Sequence, residues 1–173
     1  NYLGKGIQVA NSVYLDNESI KGNFSVTNPN FNNTDKLVYL NLEALETDRL
    51  KNFGYKTNKQ GFSVGTGFEI YDDTKIGIGT SNYIEKISTN SNASARQKKQ
   101  AGNYFDSFLN LNLDYDKRDQ KFQTTEGFRS RYFVDLPIIS DTYTLTNNYT
   151  YTYFTELYEN NRSNISFYLK SAN

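Results

Sequence analysis

Nine short segments of this chain alternate apolar and polar residues strictly enough that one face of each can be read directly. Val38, Leu40, Leu42 and Ala44 form one such face, and Phe62, Val64, Thr66, Phe68 and Ile70 a second. Phe105, Leu109, Leu111, Leu113 and Tyr115 form a third, and Tyr143, Leu145, Tyr149, Tyr151 and Tyr153 a fourth. The interleaved residues are small or polar: Ser63, Gly65, Gly67 and Glu69, or Asp106, Asn110, Asn112 and Asp114. A period of two places successive side chains on opposite sides of a β-strand, so each segment has one apolar and one wet face.

The pattern predicts strands at Ile7–Leu15, Ser19–Thr27, Lys36–Glu46, Gln60–Tyr71 and Lys75–Ser88, then Tyr104–Asp116, Gly127–Leu136, Tyr143–Phe154 and Ser163–Ser171. Asn28-Pro29 and Asp72-Asp73-Thr74 carry turn chemistry, and so does the stretch Pro137–Thr142. A polar loop is expected to run to about Thr57, a longer one over Thr89–Asn103, and a last turn over Thr155–Arg162. Helix is a poor reading anywhere, because Asn and β-branched residues are frequent and the apolar spacing is two. The expected class is therefore all-β, an antiparallel up-and-down meander in which each strand pairs with its sequence neighbour.

Which solvent the apolar face meets is decided by composition. The 173 residues are only 36% hydrophobic and 16% aromatic, with Tyr the commonest ring. That supply covers one side of a sheet but is thin for the two-sided interior of a soluble sandwich. A membrane barrel makes the opposite demand, since its apolar face meets lipid and its polar face meets water. No stretch approaches the roughly 18 to 20 apolar residues of a membrane helix, so any crossing must use strands closed into a barrel. Rings at predicted strand ends (Tyr14, Phe31, Tyr71, Phe105, Tyr143 and Tyr153) suit interfacial girdles, although Tyr and Phe also have good β-propensity. Ile20, Phe24, Val26, Leu40, Leu42, Val64, Phe68, Ile76, Ile78, Leu109, Leu111, Leu113, Tyr132, Val134, Leu145, Ile165 and Phe167 are expected to share the lipid side. The chain starts at Asn1 without a Met and ends at Asn173 directly after an apparent strand, which reads as an excerpt from a longer protein.

Candidate chemistry narrows the picture further. Cys and His are both absent, which removes disulfides, thiolate metal sites, Cys nucleophiles and His-dependent triads. The alternate glycines Gly61, Gly65, Gly67, Gly77 and Gly79 match no phosphate loop, which needs a helix N-terminus behind them. They suit a curved wall that needs room on its inner side. Asp72-Asp73 and Asp114, Asp116 and Asp119 read as turn and lumen acids, because the Gly and terminal Glu of a calcium loop are missing. Asp114 and Asp116 should face Arg129 and Arg131 across a hairpin, with at least one ion pair within about 4 Å worth ~0–1 kcal/mol. The basic run Arg96–Lys99 reads as a solvated loop face, and with zero net charge there is no nucleic-acid footprint. No catalytic, cofactor-binding or metal-ligating residue is expected, and the reading is not an enzyme.

Two motifs carry a family resemblance. Asn1-Tyr2-Leu3-Gly4-Lys5-Gly6 precedes a strand pair ending Ser25-Val26-Thr27-Asn28-Pro29-Asn30-Phe31, and this resembles the Leu-Gly-x-Gly and Thr-Asn-Pro-x-Phe pattern of the BamA barrel. Asp114-Tyr115-Asp116-Lys117-Arg118-Asp119 through Gly127 is similar to that family's Tyr-Asp-x-Arg-Asp…Phe-Pro-Thr-x-Gly segment. The second motif departs from the pattern, since the Pro is missing and Gln123-Thr124-Thr125-Glu126 is one residue longer. The resemblance implies that residues 1–173 are part of a transmembrane β-barrel, about nine strands of sixteen, in the outer membrane of a Gram-negative bacterium. POTRA domains and closing strands would lie outside the excerpt. It implies a protein that folds and inserts other barrels, with outer-membrane lipid, nascent outer-membrane β-barrel proteins and assembly-complex lipoproteins as partners, and no cofactor. A TamA-like or two-partner secretion pore is the alternative within the superfamily; a passive porin would need a charged constriction loop that is not evident.

Overall fold

The computed structural model describes residues 6–141, 143–158 and 161–172. Residues 1–5 of the first motif, and 159 and 160 of the expected last turn, lie outside the described residues. The described residues form a single nine-stranded antiparallel sheet in sequence order: β1 Gln8–Leu15, β2 Ser19–Asn28, β3 Leu37–Arg49, β4 Tyr55–Tyr71, β5 Thr74–Thr89, β6 Gly102–Asp116, β7 Gly127–Ile139, β8 Thr146–Tyr158 and β9 Asn161–Ala172. Two short helices, α1 Leu50–Phe53 and α2 Ala95–Lys99, and a 3-10 turn at Phe31–Asn33 sit in connections. One end of the sheet, the upper rim, carries the connections at 16–18, 50–54, 90–101 and 140–145; the lower rim carries those at 29–36, 72–73 and 117–126.

Register shows how the alternation was used. Phe24 pairs with Leu42, Leu42 with Phe62, and Leu40 with Val64. Farther along, Ile78 pairs with Leu111, Leu111 with Val134, Tyr132 with Tyr149 and Tyr151 with Phe167. Directly paired residues project to the same side of a sheet, so these rows make one continuous apolar face. Sixteen of the seventeen residues expected on that face lie in strands and share it. Leu145 is the exception: β8 begins at Thr146, opposite Asp135, and Leu145 precedes the ladder. Tyr14 departs from the expected girdle too. It pairs with Lys21 on the polar face, because Val13 and Leu15 already occupy the apolar side of β1.

Several boundaries move for identifiable reasons. β3 and β4 continue past the expected ends at Glu46 and Gln60, pairing Thr47 with Thr57 and Arg49 with Tyr55. These residues are polar on both faces, so the pairing continues where the hydropathy signal fades. Pro137 stands inside β7, not in a turn. Its partner is Phe108, next to an irregularity at Ser107/Phe108, and β8 pairs with β7 only as far as Asp135. One backbone edge of Pro137 thus has no ladder to complete, a position where a missing N–H is tolerated. β8 likewise runs to Tyr158 and β9 starts at Asn161, with a bulge between Glu156 and Tyr158 where a turn over Thr155–Arg162 was expected.

The sheet has almost no buried apolar interior: among described residues only Ala93 and Val134 are buried hydrophobics, at 6% and 9% exposure. Leu42 is 42% exposed and Ile165 72%. A contiguous apolar face of this extent is a surface that something else must cover, and lipid covers it in a barrel. Val64→Arg on that face should destabilise the lipid-inserted barrel by about 2–4 kcal/mol if it lies near the midplane. Asn41→Arg on the opposite face should cost under ~1 kcal/mol. Denaturant unfolding of the complete protein from vesicles checks the pair; equal costs would contradict the register.

Candidate functional site

The polar face of the middle strands is built from glycine and aromatic side chains in the same rows. Tyr39 pairs with Gly65, which pairs with Gly79. A Cβ at Gly65 would come within 2.6 Å of the Tyr39 hydroxyl oxygen, and so would one at Gly79. The Tyr39 ring therefore lies across two neighbouring strands. Tyr83 does the same over Gly61, whose Cβ would overlap its ring, and Lys59 Nζ sits 4.1 Å from the ring centroid. Gly61, Gly65 and Gly79 thus give up side chains so that rings can lie flat on the inner wall, whereas a Cβ at Gly67 or Gly77 would meet no ring.

Beside them a polar relay crosses three strands. Ser81 donates to Asn110 at 2.7 Å, and the Asn110 amide donates to Asp135. Tyr39, Gly67, Gly77, Asn112 and Phe133 border a trough of about 520 Å³ on this side. Its lining joins amide, glycine and ring surfaces to the charged groups of Asp35, Glu69, Lys75 and Asp114, a polar trough that suits packing against a chain segment or holding water.

At the lower rim the acids singled out by the sequence form a braced cluster. Arg129 grips Asp114 with two bonds, Nε to Oδ1 at 2.9 Å and Nη2 to Oδ2 at 2.6 Å. The pair is diagonal: Asp114 lies opposite Arg131, and Arg129 opposite Asp116, to which its Nε stands at 3.9 Å. Arg118 grips Asp116 in the same two-pronged way, both contacts at 2.7 Å, and lies 5.7 Å from the Phe154 ring centroid. Such forks fix geometry as well as charge, and their partial burial places each near the upper part of the ~0–1 kcal/mol range for exposed pairs.

The connection from 117 to 126 closes on itself at the rim beside this cluster. Lys117 N donates to Phe128 O at 2.8 Å, and Asp119 N to Glu126 O at 3.2 Å. Asp119 accepts from the Thr125 hydroxyl at 2.6 Å, from Thr125 N at 3.2 Å and from Glu126 N at 3.4 Å. Gly127 has φ +103°, and a Cβ there would overlap the Lys117 carbonyl oxygen. A second tie joins this connection to the β4–β5 turn: Lys117 Nζ meets Asp73 Oδ2 at 2.8 Å and Asp116 N donates to Asp73 O at 2.9 Å. The Asp-x-Arg-Asp spacing is thereby explained: the first Asp and the Arg pair, the second Asp closes the loop, and the Gly lets the chain turn back. Each of Asp73, Asp114, Asp116 and Asp119 has a partner of its own, so the acids do not converge on one point. The basic run lies in solvent-exposed α2, started by a capping box between Ser94 and Gln97.

An open antiparallel meander with a lipid-type outer face, a glycine-and-ring inner face and a braced Asp-x-Arg-Asp rim is the arrangement that the family comparison addresses. The Omp85 superfamily domain matches residues 1–171. The chain belongs to the Omp85 superfamily. Among solved structures, BamA from Haemophilus ducreyi lacking POTRA domains 1–3 superposes with a TM-score of 0.73 at 18% identity, covering 100% of this chain and 36% of that one. The chain thus spans about a third of that BamA, and the likeness establishes a shared barrel fold. A search of curated proteins gives no match. Taken with the register, the superfamily makes this segment wall of an outer-membrane β-barrel, nine strands in antiparallel meander.

Two outcomes follow from the site. Gly65→Ala should destabilise the barrel by about 1–3 kcal/mol through overpacking, and adding Tyr39→Ala should recover most of that loss in a double-mutant cycle. Gly127→Ala should show no such rescue, since backbone blocks it. The second outcome concerns pH. The Thr125 hydroxyl, followed by backbone N–H donors, holds the Asp119 carboxyl below its ordinary range. A carboxyl depressed on folding stabilises the loop above its unfolded pKa near 3.9, and that contribution fades as pH falls through the lower folded value. Hydrogen exchange at Thr125 and Glu126 should stay protected at about pH 5 and lose protection progressively below about pH 4. Asp119→Asn should remove the pH dependence.

Proposed function

We propose that this wall belongs to an assembly factor that folds and inserts β-barrel proteins into the outer membrane of a Gram-negative bacterium, without ATP or a cofactor. The observation that supports it most is the superposition of the whole chain on a BamA barrel. The proposed mechanism uses the physics of strand addition. An unpaired strand edge offers N–H and C=O groups to an incoming strand, while the surrounding lipid is perturbed. That edge belongs to other strands of the barrel. The segment described above contributes the stiff remainder: flat-lying rings over glycine and a braced lower rim resist deformation while the seam opens. Its bare strands β1 and β9 would each leave backbone groups unpaired in hydrocarbon at several kcal/mol apiece. We therefore propose that the segment works only as part of a larger closed barrel, and that the role is non-catalytic. Nascent outer-membrane proteins are the clients, lipid the medium, and assembly-complex lipoproteins are engaged through periplasmic domains elsewhere in the protein.

A TamA-like or two-partner secretion pore is the second reading, favoured by the same superfamily match. Reconstitution separates them. The complete protein in vesicles should speed insertion of an unfolded client barrel at least about tenfold over empty vesicles. Residues 1–173 alone should give no acceleration. Passage of an extended secreted chain without acceleration of barrel insertion would favour the pore, and catalysed insertion by residues 1–173 alone would overturn the division of labour.

A further inference from the structure

We propose that the outer face of β4–β6, just above the apolar band, binds the phosphate headgroup of a membrane lipid. The apolar face changes character toward the upper rim. On β4, Phe62 and Val64 give way to Gln60, Asn58 and Lys56; on β5, Ile84 is followed by Lys86. Register keeps all of these on the side that carries the apolar band below: Phe62 pairs with Asn82, Gln60 with Ile84, Asn58 with Lys86, and Lys86 with Asn103. Lys56, Asn58, Gln60, Ile84, Lys86 and Asn103 line a recess of about 480 Å³.

The recess has the polarity order of an amphiphile. Exposed Phe62, Ile84 and Phe105 stand at its base, where an acyl chain would run, and amides with an ammonium group stand at its top. Lys56 is already held by Glu46 at 2.7 Å and Asp48 at 3.4 Å. Lys86 is exposed, and its ammonium has no ion-pair or hydrogen-bond partner among the described residues. The loop joining β5 to β6, two of the three strands that line the recess, adds Arg96, Lys98 and Lys99. On this face the strand charges balance, Lys56 and Lys86 against Glu46 and Asp48, and the surplus comes from residues 90–101, which hold three Lys or Arg and no Asp or Glu. Asn58 already donates to Glu46 Oε2 at 3.2 Å and Gln60 to Asn58 Oδ1 at 3.2 Å. The Lys86 ammonium and the neighbouring Asn103 amide are therefore the groups that face phosphate oxygens, and the loop cations disfavour a zwitterionic head.

The geometry also fixes this cap in place. Asn90 N donates to Gly54 O at 2.9 Å and Asn90 Nδ2 to Leu50 O at 3.0 Å, tying the β3–β4 and β5–β6 connections together above the recess. A Cβ on Gly54 would overlap the backbone at Ala93, so the two connections are in close contact. The cationic surplus is therefore presented by a knitted surface and not by two separate loops.

This inference rests on the membrane placement of the apolar face and is independent of insertase activity. The test is native mass spectrometry of the complete protein, released from detergent after titration with phosphatidic acid, phosphatidylcholine or inorganic phosphate. Phosphatidic acid should be retained in preference to phosphatidylcholine, and inorganic phosphate at the same concentration should not displace it. Lys86→Gln should weaken phosphatidic acid retention about fivefold, the effect of one surface cation; Lys86→Arg should preserve it. Asn103→Asp, which adds a negative charge without touching Lys86, should weaken it as well and serves if Lys86→Gln does not fold. Equal retention of the two lipids, or retention unchanged in both variants, would overturn the proposal. Displacement by inorganic phosphate would overturn the lipid as its ligand.

Discussion

A backbone that crosses hydrocarbon must find a partner for every N–H and C=O within itself, and this requirement governs the rest of the structure. Helices satisfy it locally; strands satisfy it only by pairing on both sides. Here β2 through β8 are each paired with both sequence neighbours, in antiparallel order without a crossover. Once every interior strand is committed in this way, the pleat leaves each residue one of two destinations. Lipid or lumen is then decided by whether its position is odd or even within the strand.

That two-way choice explains why the faces differ so completely. The outer rows, such as Phe24–Leu42–Phe62, contribute apolar area that a soluble sheet could not leave exposed. The inner rows carry the interactions that set shape. Tyr39 over Gly65 and Gly79, and Tyr83 over Gly61, substitute ring surface for side chains that would otherwise crowd the wall. The Asp114–Arg129–Asp116–Arg118 chain then locks the hairpin of β6 and β7 at the lower rim. Stiffness below and a neutral-to-cationic change above are two consequences of one alternation, read on its two sides.

Much of this was legible because the signal is local. The alternation from Phe62 to Phe68 announces a strand and its lipid face at once, and the Asp114/Arg129 contact follows from the hairpin that joins two such strands. What stayed hidden was non-local or carried no hydropathy contrast. Thr47–Arg49 and Tyr55–Lys59 pair as strand, yet both faces are polar, so their period-two signal is absent. Pro137 reads as a turn until the end of β8 pairing at Asp135 is known. The glycines were recognisable as small residues on an inner wall, but Tyr39, which covers Gly65, lies 26 positions away in sequence and is brought there only by register. The Ser94/Gln97 box that starts α2 was present in the sequence, though five helical residues are too few to show a 3.6 period.

The central claim, that the alternation of this sheet is an alternation between lipid and water, can be tested along β3. The segment contains no Cys, so single cysteines placed from 38 to 44 in an otherwise cysteine-free form of the complete protein can carry a nitroxide label. Collision with membrane-dissolved oxygen and with a water-soluble nickel complex is then measured at each position. The account predicts opposite phases: oxygen exposure highest at Val38, Leu40, Leu42 and Ala44, and nickel exposure highest at Tyr39, Asn41 and Glu43. Oxygen exposure peaking at the odd positions, or equal nickel access along the whole strand, would contradict it.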